Sequence, residues 1–298
     1  MHRWLSGSLS VETLTVFIKG LPSHLSGLTI TQLSDLHYDG VRLSTDLLTE
    51  AIALSNRYEP DIVVLTGDHI TNDPAPATAL AQHLKGLKTK RGVYAILGNH
   101  DIYYPHTRPA VTQAFEQAGI TVLWNQVCYP WGEGLAVVGL ADYWSREFST
   151  AALNTVSPQT ARLVLSHNPD SAVPLSRHRV DLQLSGHTHG GQIVLPGMGP
   201  FPHWYQKLRD RTPKWLRPYL PYMRQDCHKV VKHWEWAQGL HRVEENMLYV
   251  NRGLGTYPPG RLWCPPELTV IQLVAAPTGS ATSSTVSSQA AVDQAALV

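Results

Sequence analysis

The stretch "DIVVLTGD", residues 61–68, decides how the chain is to be read. A short run of β-branched and apolar residues breaks off at Gly67 and ends on Asp68. That is the form of a buried strand running into a polar turn. The same form returns in "LTITQLSD" (28–35), "GVYAILGNHD" (92–101), "LAVVGLAD" (135–142), "ARLVLSHNPD" (161–170) and "VDLQLSGHTH" (180–189). Helix candidates lie between the first three, at about 44–58 and 75–87. Strands alternating with helices imply βαβ units and a buried sheet, with functional groups collected beyond the carboxyl ends of the strands. Two more strands, "VETLTVFIKG" (11–20) and "ELTVIQLV" (267–274), bring the outer parts of the chain into the sheets. The expected class is α/β, in one domain over residues 1–274.

The totals narrow the function. A chain of 298 residues, 43% hydrophobic, can bury a full core. Its formal net charge of +1 argues against a general nucleic-acid binder, which carries a basic excess. Cys128, Cys227 and Cys264 are odd in number and far apart, so they read as packed or idle thiols. The opening "MHRWLSGSLSVETLTVFIKG" lacks the apolar core of a signal peptide. No stretch approaches the roughly 20 apolar residues of a membrane span. The expectation is a soluble, cytoplasmic protein, with attachment to the inner membrane face left open. The stretch 275–298, small and polar without an aromatic residue, is expected to be a disordered tail.

One segment stands apart. Residues 203–233 hold eight Lys/Arg against two Asp/Glu, a net of +6, so the remainder of the chain carries 1 − 6 = −5. Trp204, Tyr205, Trp215, Tyr219 and Tyr222 are interleaved with the charges, and Pro213, Pro218 and Pro221 break the segment into short helices and turns. Three readings compete: a patch for an anionic membrane surface or a lipid-linked substrate, a structural cap, and a lid that steers anions.

The strand ends carry Asp35-Leu36-His37, Gly67-Asp68, Gly98-Asn99-His100-Asp101, Ser166-His167-Asn168 and Gly186-His187-Thr188-His189. Carboxylate, imidazole and amide are ligands for borderline divalent metals such as Mn, Fe and Zn. The number of donors exceeds what one catalytic metal uses and suits two metals. Singly, each cluster has an ordinary reading: Asp35 and Asp68 as helix caps, "GNHD" as a turn, His167 as a satisfied polar residue. His69 and His106 are read as structural. It is the ordered set that points to a metal centre.

That set, D-x-H, G-D, G-N-H-D, H and G-H-x-H, resembles the calcineurin-like metallophosphoesterase superfamily. Outer segments, among them "GHTHGGQIVLPGMGP" and "CPPELTVIQL", resemble a bacterial branch of YkuE- and YaeI-type proteins that includes pyrophosphatases of UDP-diacylglucosamine. The resemblance implies a four-layer α/β/β/α sandwich with 203–233 as a basic aromatic insert. It implies a first metal on Asp35, His37 and His189, a second on Asn99, His167 and His187, and Asp68 bridging them. It further implies His100 as proton donor to the leaving group, with Asp101 orienting its imidazole. The expected activity is hydrolysis of a phosphodiester or pyrophosphate, lipid-linked in one version, by a metal-activated hydroxide with two divalent ions, Mn favoured. A membrane-surface binding module without turnover and a nuclease are the alternatives. The complete ligand set argues against the first, and the near-neutral charge against the second.

Overall fold

The computed structural model describes residues 6–219, 231–277 and 289–290. In chain order the strands are β1 (Ser10–Ile18), β2 (Leu28–Leu33), β3 (Ile62–Thr66), β4 (Val93–Ile96), β5 (Ile120–Val122), β6 (Gln126–Cys128), β7 (Leu135–Gly139), β8 (Ala161–Leu165), β9 (Leu182–Ser185), β10 (Val194–Leu195), β11 (Gly199–Pro200), β12 (Gly239–Val243), β13 (Asn246–Val250), β14 (Glu267–Ala275) and β15 (Gln289–Ala290). The helices are α1 (Thr45–Arg57), α2 (Ala77–Leu84), α3 (Thr107–Gln117), α4 (Ala172–Leu175) and α5 (Phe201–Arg211).

Two sheets form. The first runs β15-β1-β14-β2-β3-β4-β5 and the second β12-β13-β9-β8-β7-β6. At their centres β2, β3 and β4 are parallel, as are β7, β8 and β9. The period of two along each strand divides its side chains between two cores. In β3, Ile62 and Val64 face the second sheet, while Val63 and Leu65 face α1, α2 and α3. In β8, Leu163 and Leu165 meet the first sheet, and Val164 joins an outer cluster with Leu153 and Leu175. Central strands buried on both faces read as near-continuous apolar runs, which is why "IVVL" carries the fold signal.

The expected α/β/β/α layering holds, and the outer layer over the second sheet is thin. It consists of α4 and two 3₁₀ turns, Ala151–Thr155 and Pro169–Ser171. The helix expected at 44–58 is α1, started by Ser44, whose hydroxyl accepts from the Leu47 amide at 3.2 Å. The insert begins as α5, which buries none of its residues, and continues to a 3₁₀ turn at Arg217–Tyr219. Residues 220–230 lie outside those described. Most of the tail expected to be disordered lies outside them too, although Gln289–Ala290 pairs with Thr13 and Glu12 of β1. Among the described residues no helix is long and apolar enough to cross a membrane.

Candidate metal centre

The parallel strands of both sheets end at one place, and the loops continue to bond across it. The Asp35 and His37 amides donate to the carbonyls of Gly67 and Asp68, each at 3.0 Å. The Gly186 amide donates to His167 O at 3.0 Å, and the Gly255 amide to Asp35 O at 2.7 Å. Two further bonds join the sheets: the His187 amide to Asp35 Oδ1 at 2.9 Å, and His167 Nδ1 to Thr66 O at 2.7 Å.

These loops are conformationally costly. Asp35, His37, Asp68, His187 and His189 all have positive φ, between 42° and 71°. Each left-handed residue that is not glycine costs on the order of 1 kcal/mol, and such strain collects at functional sites. Space is equally constrained. A Cβ on Gly186 would collide with Ser34 Oγ and Asp35 Oδ2, and one on Gly98 with Asp68.

The result is a buried cluster of donors. Asp35, His37 and His189 bring ligand atoms within 4.8 Å of one another, and so do Asp68, His167 and His187. In the first group His37 Nε2 lies 3.1 Å from His189 Nε2, which is 3.5 Å from Asp35 Oδ1. In the second, His187 Nδ1 lies 3.2 Å from His167 Nε2. Asp68 stands between them. Its Oδ1 accepts the His100 amide at 2.9 Å, and its Oδ2 is 3.1 Å from His167 Nε2 and 3.7 Å from His37 Nε2. A carboxylate can span two cations with two oxygens. Here one oxygen is already occupied, and Oδ2 alone faces both groups.

The donor chemistry fits divalent cations. Burial holds His37 well below the usual imidazole range, and burial with the nearby Arg261 guanidinium takes His189 down to about 3. Both are therefore neutral, the form that ligates. Burial raises Asp35 to about 6. His167 differs: burial opposes its charge, but the Asp68 carboxylate outweighs that and lifts it to about 10. His167⁺–Asp68⁻ is thus a buried ion pair whose proton lies where a cation would go. Asn99 Oδ1 is buried without a hydrogen-bond partner. Its neighbours Gly98 and His100 both meet Asp68, and an orphaned acceptor in that turn is what a cation would satisfy.

His100 stands at the rim. Its Nδ1 is held by Thr71 O at 2.5 Å and Asn72 Oδ1 at 2.8 Å. The expectation that Asp101 orients this ring is corrected. Asp101 Oδ1 accepts the His69 and Ile70 amides at 2.9 and 3.1 Å, and its Oδ2 accepts the Gly98 amide at 2.9 Å. The 3₁₀ turn at His100–Ile102 sends the imidazole and the carboxylate in different directions, so Asp101 clamps the Gly67–Ile70 loop to the Gly98 turn. His69 is structural, with Nε2 on Ile96 O at 2.8 Å, and His106 is exposed and stacks on Tyr104.

Four residues at the site carry no motif. Ser34 Oγ donates to Asp35 Oδ2 at 2.6 Å. Tyr257 Oη lies 3.1 Å from His37 Nδ1. The half-buried Arg261 donates through its guanidinium to Gly255 O at 2.6 Å and Gly253 O at 3.1 Å, tying that loop under His189. Asp142, at the end of β7, is fully buried and raised by burial to about 6. Its strand-end position, equivalent to those of Asp35 and Asp68, was the available signal.

The profile of the calcineurin-like phosphoesterase family matches residues 28–191, the span that carries all the candidate metal ligands from Asp35 to His189. The chain belongs to that family of metal-dependent phosphohydrolases. Similar proteins cover most of its length. Phosphodiesterase YaeI of Escherichia coli is 31% identical, covering 81% of this chain and 80% of that protein. The uncharacterized metallophosphoesterase YkuE of Bacillus subtilis is 30% identical, covering 88% and 85%. UDP-2,3-diacylglucosamine pyrophosphatase LpxG of Chlamydia muridarum is 27% identical, covering 86% of each.

The ion pair yields a prediction for metal binding. Below about pH 10 the metal-free site holds the His167 proton, and a cation on Nε2 must displace it. Between pH 7 and 9, apparent affinity for the ion on His167 should therefore rise about tenfold per pH unit, with one proton released when that ion binds. Calorimetry of metal-free protein in buffers of differing ionisation enthalpy would measure this. A pH-independent affinity with no proton release would refute the assignment of the ion pair.

Proposed function

We propose that the protein is a two-metal phosphoesterase that hydrolyses a phosphodiester or pyrophosphate bond. One observation carries this reading: a single carboxylate oxygen, Asp68 Oδ2, lies between two imidazole-rich groups. Asp35, His37 and His189 would hold the first ion, and Asn99, His167 and His187 the second, with Asp68 shared. Bound divalent cations supply Lewis acidity, lowering the pKa of a water to near neutrality and neutralising phosphoryl oxygens. Mn is the first metal to test, since nitrogen and oxygen donors without thiolate suit it, as they suit Fe and Zn.

The chain's own residues supply the rest. His100 is the proton donor to the leaving oxygen. Because the Thr71 carbonyl only accepts, Nδ1 carries one hydrogen, and the imidazolium form holds the second, transferable one on Nε2. Asp101 supports this indirectly, by fixing the turn from which the ring projects. With Mn, the protein should hydrolyse a chromogenic phosphodiester. His100→Ala should lower kcat by about 10²–10⁴-fold while metal content stays unchanged. Absence of turnover with Mn, Fe, Zn or Co, in protein that also retains no metal, would contradict the reading.

The substrate is proposed to be lipid-linked and met at an anionic membrane surface. α5 packs against the His189–Gly191 turn, and Gly191 is closed in by Pro200 and Pro202. Beside that turn Met198, Phe201, Trp204, Leu208, Leu262 and Trp263 are exposed, between 37% and 63%. Lys207, Arg209 and Arg211 share the same helix. Apolar and aromatic groups among cations suit an interface with anionic headgroups. The relative named for a diacylated sugar nucleotide supports the same direction. The protein should co-sediment with phosphatidylglycerol vesicles in low salt but not with phosphatidylcholine vesicles, and the double variant Trp204→Ser/Leu208→Ser should weaken the binding. Equal partition to both vesicle types, or none, would contradict the membrane assignment and leave the phosphoesterase reading standing.

A further inference from the structure

Three imidazoles at the centre have Nδ1 engaged by an oxygen. His167 Nδ1 meets Thr66 O at 2.7 Å, and His189 Nδ1 meets Gly255 O at 3.2 Å. A backbone carbonyl only accepts, so in both rings Nδ1 carries the hydrogen and Nε2 is left to a cation. His37 is built differently. Its Nδ1 meets a phenol, Tyr257 Oη, at 3.1 Å, and a phenol can donate or accept.

The direction of that bond follows from the other end of the ring. His37 Nε2 faces His189 Nε2 at 3.1 Å and Asp68 Oδ2 at 3.7 Å, so it is the nitrogen turned to the metal-binding group. With a cation there, Nε2 gives its lone pair, and the one ring hydrogen of neutral His37 sits on Nδ1. Tyr257 Oη must then accept, and its own hydrogen is released to point elsewhere.

Its surroundings say where. The Tyr257 ring packs edge-on against His37 at 5.0 Å and His189 at 5.4 Å, and lies 6.5 Å from His100, the proposed proton donor. The residue is half-buried, beside the imidazole proposed to meet the leaving oxygen. The Arg42 guanidinium covers the ring 4.5 Å from its centroid, and Arg42 itself pairs with Asp39. The Tyr257 amide donates to Gln192 Oε1 at 2.7 Å, which ties the residue to the loop that carries His189. The phenol is thus held from three sides.

We infer that Tyr257 accepts the Nδ1 hydrogen of metal-ligating His37 and thereby presents its own phenolic hydrogen to an oxygen of the phosphoester substrate. The inference rests on the two-metal reading above and adds to it a residue outside every motif of the metal set. Tyr257 is a positioning residue toward the cation and a hydrogen-bond donor toward the substrate.

Tyr257→Phe removes one oxygen and keeps the ring against Arg42 and the three imidazoles. Chelator competition with Mn²⁺ alone measures the first role without turnover. The variant should bind Mn²⁺ about 10–100-fold more weakly, as loss of an outer-shell partner does. The second role is read at saturating Mn²⁺ with bis-p-nitrophenyl phosphate, where kcat/KM should fall about tenfold or more. Wild-type Mn²⁺ affinity in the variant, or an unchanged kcat/KM at saturation, overturns the inference while wild-type protein still binds two ions and turns over. If wild-type protein binds no divalent ion, the two-metal reading itself falls and this one with it.

Discussion

Everything at the strand ends depends on where one oxygen is held. Asp68 Oδ2 is buried, faces imidazoles from both sheets, and is fixed because Oδ1 is pinned by the His100 amide. Buried charge is costly unless it is paired, and here the partner in the metal-free protein is the His167 imidazolium. Both sheets must therefore end at one point: β3 supplies the carboxylate and β8 the cation. The inter-sheet core of Ile62, Val64, Leu163 and Leu165 runs up to this pair. The positive-φ loops, the tight glycines and the neutral buried imidazoles make physical sense around a cation, and poor sense without one.

Much of the frame is legible in the sequence because burial on both faces leaves a plain signature. The strands read at 28–35, 61–68, 135–142 and 161–170 form at Leu28–Leu33, Ile62–Thr66, Leu135–Gly139 and Ala161–Leu165. All but β7 stop where the polar cluster begins, and β7 ends at Gly139, with Leu140 and Ala141 between it and Asp142. Half-exposed elements are quieter. Helix α3 buries only Thr107, Val111, Ala114 and Phe115, and Pro109 in its first turn resembles a breaker. Strand β12, at the sheet edge, runs through half-buried His241 and exposed Arg242, with no apolar run to mark it.

The site divides in the same way. Its proposed ligands are visible because each sits in a short motif at a strand end. Asp101 was misjudged because neighbours in sequence were taken for neighbours in space, whereas the 3₁₀ turn aims its carboxylate inward at three amides. Tyr257 and Arg261 reach the cluster from a loop some 220 residues beyond His37, and the antiparallel return of β14 beside β2 brings that loop there. The same loop is also carried there by β13, which runs parallel beside β9, and such contacts leave no periodicity to read. The rim of α5 is intermediate: its basic and aromatic composition is plain in sequence, while its seat beside the His189 turn is a fact of the fold.

The central claim is that Asp68 Oδ2 serves two cations at once. Crystals of the protein grown with Mn²⁺, with anomalous scattering recorded at the manganese edge, test it most directly. The account predicts two peaks roughly 3.5–4 Å apart, as in other two-metal sites. Asp68 would lie between them, with Asp35, His37 and His189 on one, and Asn99, His167 and His187 on the other. A single peak, or two that do not share Asp68, would contradict it.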